Sequence, residues 1–204
     1  TSWYIDNSRR NYLDKMQIFG GVEKMTLVSP SKWLATTLKS SFLKKFDIIH
    51  VYNGIDIEVF RPEGSDLYKT KYKLYRKYIL GVANIWAKSK GLDDIKKLRE
   101  LLDHEIDIVL VGLSKSQINS LPAGITGFCR THNINDLASI YAGAECFINP
   151  TYADNFPTTN IEALACGTPV VTYNTGGCQE TVSNTCGFVV RKGEINDLLT
   201  MVMK

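Results

Sequence analysis

From residue 78 onward, short runs rich in aliphatic and β-branched residues alternate with segments of helical periodicity. That alternation is the pattern of a parallel sheet covered by helices, an α/β architecture. Residues 78–83, 106–111, 125–130, 146–149, 170–173 and 188–190 read as strands; residues 92–102, 115–121, 136–142 and 156–166 read as helices. Upstream, residues 8–19 read as a helix, 26–29 as a strand, 32–45 as a helix opened by Pro30-Ser31, and 48–52 as a strand, with a turn at Asn53-Gly54. In open parallel sheets, ligands bind beyond the carboxyl ends of the strands, where the strand order reverses. Loops at 84–90, 112–114, 130–133, 149–156 and 174–177 emerge there, and one pocket is expected to collect all five.

The densest signal runs from Asn149 to Glu180: strand end, polar loop, helix, sharp stop, buried strand and glycine turn. Asp154 and Asn155 are good helix caps, and Pro157 suits a first helical turn, where its missing N–H would be unpaired anyway. The N–H groups of Thr158, Thr159 and Asn160 are then free to meet a phosphate, assisted by the helix dipole. Glu162, four residues beyond Thr158, shares its helix face. Ile161, Leu164 and Ala165 are expected to pack on the sheet, and Gly167 and Pro169 end the helix. A bland alternative stands beside each functional role: Asp154 and Asn155 as simple caps, Glu162 as a solvated helix residue.

Composition narrows the class. A chain of 204 residues is long enough to bury about 70% of its unfolded surface. Its net charge of +3 is too small to argue for a nucleic-acid partner. Cys129, Cys146, Cys166, Cys178 and Cys186 show no C-x-x-C spacing and read as buried free thiols in a reducing compartment. His50, His104 and His132 are far apart in sequence, and no metal site is expected. Neither a run long enough to span a membrane nor a secretory signal is present in the sequence. The chain starts at Thr1 and closes on an amphipathic helix without a stop signal, which reads as a piece of a longer protein.

The segment Asp-Asn-Phe-Pro-Thr-Thr-Asn-Ile-Glu-Ala-Leu-Ala-Cys-Gly-Thr-Pro-Val-Val resembles the C-terminal half of family 4 glycosyltransferases of the GT-B fold, in the subgroup that builds bacterial surface polysaccharides. The signature there is an acidic residue, seven residues, then Glu; here the pair is Asp154 and Glu162, with Asp where the family usually has Glu. Val-Ser-Pro-Ser-Lys-Trp-Leu and Tyr-Asn-Gly-Ile-Asp resemble the last β-α-β piece of the N-terminal domain and the linker. The resemblance implies a Rossmann-like donor-binding domain over residues 61–204, helices on both sheet faces, after a remnant of the acceptor domain over residues 1–60. The boundary would fall between Phe60 and Gly64.

The same resemblance implies roles. Asp154 would lie near the donor sugar and, with Lys90, is a catalytic candidate. Thr158 and Thr159 would bind the diphosphate, with Asn155, Phe156 and Pro157 beside them, and Glu162 would hold the ribose hydroxyls. Asn84 occupies the place of an Arg usual in the family, six residues before Lys90-Gly91, leaving one cation short unless Lys88 reaches in. Gly112 and the run Arg130-Thr131-His132 follow strands where the family holds the nucleobase; Arg130 as a rim residue is an equal alternative. Thr175-Gly176-Gly177 suits either an anion-facing nest or a tight turn before a helix at Gln179-Glu180.

Residues 69–78 interleave bases with aromatics, a composition that suits anionic lipid or nucleic acid; the preferred reading is a solvated helix with tyrosines packed beneath. The implied activity is transfer of a sugar, of the hexosyl type, from a nucleotide diphosphate sugar to a glycan or lipid-linked acceptor, with retention and with no cofactor or obligatory metal. It implies a cytoplasmic protein, peripheral to the inner membrane face where the acceptor is lipid-borne. Residues 1–204 by themselves are expected to be inactive. A sugar-nucleotide epimerase or hydrolase of the same fold, and a non-catalytic nucleotide-binding module, are the alternatives.

Overall fold

A computed structural model of the chain describes residues 6–62 and 66–204, apart from the side chain of Leu67. The chain divides between Asn53 and Gly54 into two compact units. Residues 54–62 belong with the second unit, where Phe60 is buried and its ring meets that of Tyr141 edge-on at 6.0 Å. Gly64, the far end of the expected linker, lies outside the described residues.

The first unit carries helix α1 (Ser8–Gly20), strand β1 (Thr26–Ser29), helix α2 (Lys32–Lys39) and strand β2 (Asp47–His50), the two strands pairing in parallel. Ser31 caps α2 by accepting the Leu34 N–H at 3.1 Å. The helix was expected to reach residue 45 but stops at Lys39. Ser41 is the reason: its hydroxyl donates to the Leu38 carbonyl at 2.7 Å and accepts the Leu43 N–H at 3.1 Å, a local bond set that competes with helix continuation. Asn53-Gly54 does not turn; the turn comes at residues 57–59, where Asp56 accepts the Glu58 N–H at 2.9 Å through its carboxylate and the Phe60 N–H at 2.9 Å through its carbonyl.

The second unit holds helix α3 (Leu67–Tyr72), strand β3 (Tyr78–Val82), helix α4 (Leu92–Leu101), strand β4 (Asp107–Val111), helix α5 (Lys115–Asn119), strand β5 (Ile125–Phe128), helix α6 (Ile134–Ala142), strand β6 (Cys146–Asn149), helix α7 (Thr158–Ala165), strand β7 (Val170–Tyr173), strand β8 (Gly187–Val190) and helix α8 (Ile195–Val202). Six strands form one parallel sheet in the order β5-β4-β3-β6-β7-β8. Because side chains alternate across a strand, each strand feeds two cores. Ile79, Ile108, Leu110, Ile148 and Tyr173 pack with α4 and α8 on one face; Tyr78, Leu80, Val109, Phe147 and Val170 pack with α6 and α7 on the other. Strand order reverses between β3 and β6, so the loops after these two strands leave toward opposite faces and part to form a crevice.

The basic run before β3 is largely neutralised within the protein. Lys69 pairs with Asp66 at 2.8 Å, Lys71 with Asp136 at 2.5 Å, Arg76 with Asp107 at 3.1 Å and Lys77 with Glu145 at 3.6 Å. Tyr72 and Tyr78 pack beneath as expected, but Tyr75 is exposed. Among the described residues, no helix is long and apolar enough to cross a membrane. Cys146, Cys166 and Cys178 are buried and Cys186 half-buried; Cys129, read as buried, is exposed, because β5 ends at Phe128 before reaching it.

Arg99 closes α4. Buried to 5% exposure, its guanidinium donates to the carbonyls of Leu102 and Asp103, each at 2.7 Å, and to that of Ile106. These bonds satisfy acceptors that a helix end leaves open. Losing a buried partner costs roughly 1–3 kcal/mol per stranded group. Arg99→Ala is therefore expected to lower unfolding free energy by about 3 kcal/mol or more, and Arg99→Lys to recover less than half, since one ammonium cannot span the fork. Urea denaturation measures both; a loss below about 1 kcal/mol in the Ala variant contradicts this account.

Candidate functional site

Two loops meet at the strand-order reversal. After β3 the chain passes Trp86, whose buried indole N–H donates to the Val111 carbonyl at 2.9 Å, and makes a short 3-10 turn at Lys88–Lys90. Gly91 follows with φ +77, and a Cβ there would sit 2.1 Å from the Pro150 carbonyl oxygen. Only glycine permits both that conformation and that approach. The loop after β6 is laced onto the turn: the Tyr152 N–H donates to the Ser89 carbonyl at 2.7 Å, and the Thr151 hydroxyl lies 3.3 Å from the same oxygen.

This contact sets the Lys90 ammonium 2.6 Å from Asp154 Oδ2, with both side chains partly buried. A second glycine supports Asp154 from behind. Gly176, at φ +52, leaves no room for a Cβ, which would stand 1.9 Å from the Asp154 carbonyl oxygen, and the Gly177 N–H donates to that oxygen at 3.2 Å. Of the two readings of this segment, the tight turn is the one seen: the Gly177 N–H meets the Asp154 carbonyl and not an anion. The helix expected at Gln179-Glu180 is a 3-10 turn over Cys178–Thr181.

The start of α7 differs from expectation in detail. Its cap is Pro157, in extended geometry, and no side chain caps it. Asp154 Oδ1 instead accepts the Phe156 N–H at 3.3 Å, and Asn155 is exposed. The Thr158 and Thr159 N–H groups have no acceptor among the described residues, whereas the Asn160 N–H donates to the Pro157 carbonyl at 3.2 Å and is unavailable to a ligand. The most buried residues here are Asn160, Ala163 and Cys166; of the expected stripe, Leu164 and Ala165 are half-buried and pack against the same core, while Ile161 is only half-buried. Small side chains at this seam let α7 approach the sheet closely.

Asn84, Lys90, Asp154, Phe156, Pro157, Thr158 and Thr159 line one cleft of about 390 Å³, with Asn149, Trp86 and residues 82, 83 and 85. Lys88, Gly112, Arg130, Thr131, Asn155 and Glu162 do not line it, so this cleft does not collect all five loops. Lys88 instead borders a separate cleft of about 500 Å³ with Asp93, Lys97 and Tyr152. Gly112 packs against Ala83, whose carbonyl leaves no space for a side chain there. Arg130 is exposed; the Thr131 hydroxyl is turned inward to the Asn133 carbonyl at 2.9 Å, and Asn133 caps α6.

Glu162 lies one turn along α7 from the cleft. The hydroxyl of the fully buried Tyr141 donates to its Oε2 at 3.1 Å. Burial raises the Glu162 pKa above the usual carboxylate range, and hydrogen bonds from Tyr141 and Thr158 oppose the rise. A carboxylate held with a desolvation penalty is a common mark of a binding group. Sequence reading missed a buried amide relay: Asn149 Nδ2 donates to Asn160 Oδ1 at 2.8 Å, Asn160 Nδ2 to the Thr181 hydroxyl at 2.8 Å, and that hydroxyl to the Cys178 carbonyl at 2.6 Å. A polar residue on an otherwise small-residue helix face was the available signal. Among the described residues, no group of three His, Cys, Asp or Glu side chains is arranged to hold a metal ion.

The architecture and sequence match known proteins. The chain is 25% identical over 164 residues to the capsular polysaccharide biosynthesis glycosyltransferase CapM of Staphylococcus aureus, an alignment covering 74% of this chain and 43% of CapM. It superposes on a sucrose-phosphate synthase from Thermosynechococcus elongatus with a TM-score of 0.81 at 20% identity, covering 98% of this chain and 54% of that one. Anabaena HepE, solved with UDP-glucose, superposes with a TM-score of 0.77 at 20% identity, covering 96% and 57%. The chain thus spans about half the length, or less, of these proteins. These likenesses confirm the expected fold: a Rossmann-like parallel sheet with helices on both faces, as in GT-B glycosyltransferases. Residues 76–204 match the sequence profile of the glycosyl transferases group 1, and the chain belongs to that family.

Proposed function

We propose that this chain is the donor-binding part of a retaining family 4 glycosyltransferase that moves a sugar from a nucleoside diphosphate to a glycan or lipid-linked acceptor. The observation that carries the reading is the convergence of the Lys90–Asp154 pair at 2.6 Å with the open N–H groups of Thr158 and Thr159 in one cleft. The helix start and Lys90 present positive charge to a diphosphate, and Asp154, beside Lys90 in the same cleft, is the group we assign to the attached sugar. UDP-glucose binding by HepE, of the same fold, supports a nucleotide sugar as donor. CapM, a glycosyltransferase of capsular polysaccharide biosynthesis, supports a role in building a polysaccharide.

In this reading Lys90 exchanges its carboxylate partner for diphosphate oxygens when donor binds, which frees Asp154 for the sugar hydroxyls. Glu162, one turn down the helix, accepts the ribose hydroxyls. Asn84 and Gly112 border the donor, and Arg130 and Thr131 mark the side from which the base approaches. Transfer itself requires an acceptor oriented against the sugar, and such orientation supplies several kcal/mol of a barrier. Residues 1–204 are therefore expected to bind donor without transferring sugar, and the intact protein to do both; transfer by residues 1–204 alone, followed by acceptor glycosylation, contradicts this.

Glu162 gives two coupled tests. A carboxylate accepting ribose hydroxyls contributes about 1.5–3 kcal/mol, so Glu162→Ala is expected to weaken nucleoside diphosphate affinity roughly 10- to 150-fold by calorimetry; parent-like affinity in the folded variant removes Glu162 from the site. Stability should move oppositely. With the folded pKa raised, the penalty for the charged form is present at neutral pH and relieved as pH falls through the folded value. Glu162→Gln is thus expected to melt no lower than the parent at pH 7, with its advantage shrinking as pH falls in thermal scans; a deficit at pH 7, or an advantage that grows as pH falls, contradicts a strained carboxylate.

Charge neutralisation by protein groups has a further consequence. Nucleoside diphosphate is expected to bind equally well with excess chelator and less well with added salt. Calorimetry showing binding abolished by chelator and restored by magnesium or manganese overturns that mode of neutralisation.

A further inference from the structure

Behind the cleft, Asp94 sits in the first turn of α4 with only 5% of its surface exposed, and one of its oxygens accepts two tyrosine hydroxyls: Tyr152 at 2.6 Å and Tyr173 at 2.9 Å. The helix N-terminus favours the carboxylate charge there. The two tyrosines differ in what they hold. Tyr173 belongs to β7, fixed on both sides by the ladders to β6 and β8. Tyr152 belongs to the exposed stretch just before Asp154, and its ring stands edge-on to that of Tyr173 at 5.8 Å.

Helix α4 starts directly after Lys90-Gly91, so Asp94 moves with Lys90 as one body. A bond from Asp94 to Tyr152 therefore ties the loop carrying Asp154 to the element carrying Lys90. We propose that Asp94 and Tyr152 are positioning residues: their hydrogen bond clamps the 150–154 loop onto the start of α4 and so sets the spacing of Lys90 and Asp154. Neither residue touches the 390 Å³ cleft, and their effect passes through the loop backbone. The direction of the Tyr152 pKa agrees, pushed up to about 12, first by the hydrogen bond to Asp94 and then by burial and by the charges of Asp94 and Asp93.

The clamp is separable from simple stability, because Tyr152→Phe and Tyr173→Phe each remove one hydroxyl from the same acceptor. Only the former releases the loop. Amide exchange in residues 1–204 is expected to quicken by about tenfold or more at position 152, whose N–H meets Ser89, and at Gly177, whose N–H meets Asp154, in Tyr152→Phe. Both amides should stay parent-like in Tyr173→Phe, and α7 amides in both variants. Equal exchange at these two amides in the parent and in Tyr152→Phe overturns the clamp, as does equal loosening by Tyr173→Phe.

What the clamp does to donor binding rests on the cleft reading above and is read separately. The ratio of affinities for uridine diphosphate-glucose and uridine diphosphate is expected to fall in Tyr152→Phe, as in Asp154→Asn. A loosened loop with an unchanged ratio in both variants leaves the clamp standing and contradicts the sugar contact assigned to Asp154.

Discussion

The site depends on a backbone contact between two loops that the sheet topology sends apart. Loops leaving β3 and β6 depart to opposite faces, and nothing in a parallel sheet obliges them to touch. They touch here because Gly91 has no Cβ to collide with Pro150 and because the Ser89 carbonyl takes the Tyr152 N–H at 2.7 Å. With that contact made, a lysine from one half of the sheet and an aspartate from the other form a 2.6 Å pair. Gly176 and Gly177 brace the aspartate, and the amide relay through Asn160 fixes the start of α7 against the same strand end.

The division of labour follows from rigidity. Both sheet cores are built from alternating, fully buried aliphatic and aromatic residues, so strand ends and helix starts are fixed points. The groups proposed to meet a ligand are then held by short loops a few residues from those points. Glu162 shows the cost of such placement: its carboxylate is partly desolvated, and only hydrogen bonds from Tyr141 and Thr158 offset this. In the proposed reading, fold stability and ligand binding would pull on this residue in opposite directions.

Much of this was legible in the sequence. The strands at 146–149 and 170–173 end where composition and punctuation place them, as β-branched runs bounded by polar or glycine signals do. The motif from Asp154 to Glu162 and the Lys90-Gly91 pair sufficed for the family and named Lys90, Asp154 and the run from Phe156 to Thr159, which line one cleft. What was not legible is tertiary. At α7 the expected Leu164 and Ala165 pack against the core, but the deepest burial falls on Asn160, Ala163 and Cys166, which hydrophobicity alone does not single out. The Asp154 cap was misassigned because its carboxylate is claimed by Lys90, 64 residues away. Lys88 and Lys90 look alike in sequence, yet the 3-10 turn between them aims them at different clefts.

The most direct test of the central claim is amide chemical-shift mapping of residues 1–204 titrated with a panel of nucleoside diphosphates. The account predicts saturable shifts for at least one member, largest at Thr158 and Thr159, whose N–H groups are open at the start of α7, with lesser changes at Lys90 and Asp154. Saturable binding that leaves Thr158 and Thr159 unmoved while shifting residues around Lys88 and Lys97 would contradict it.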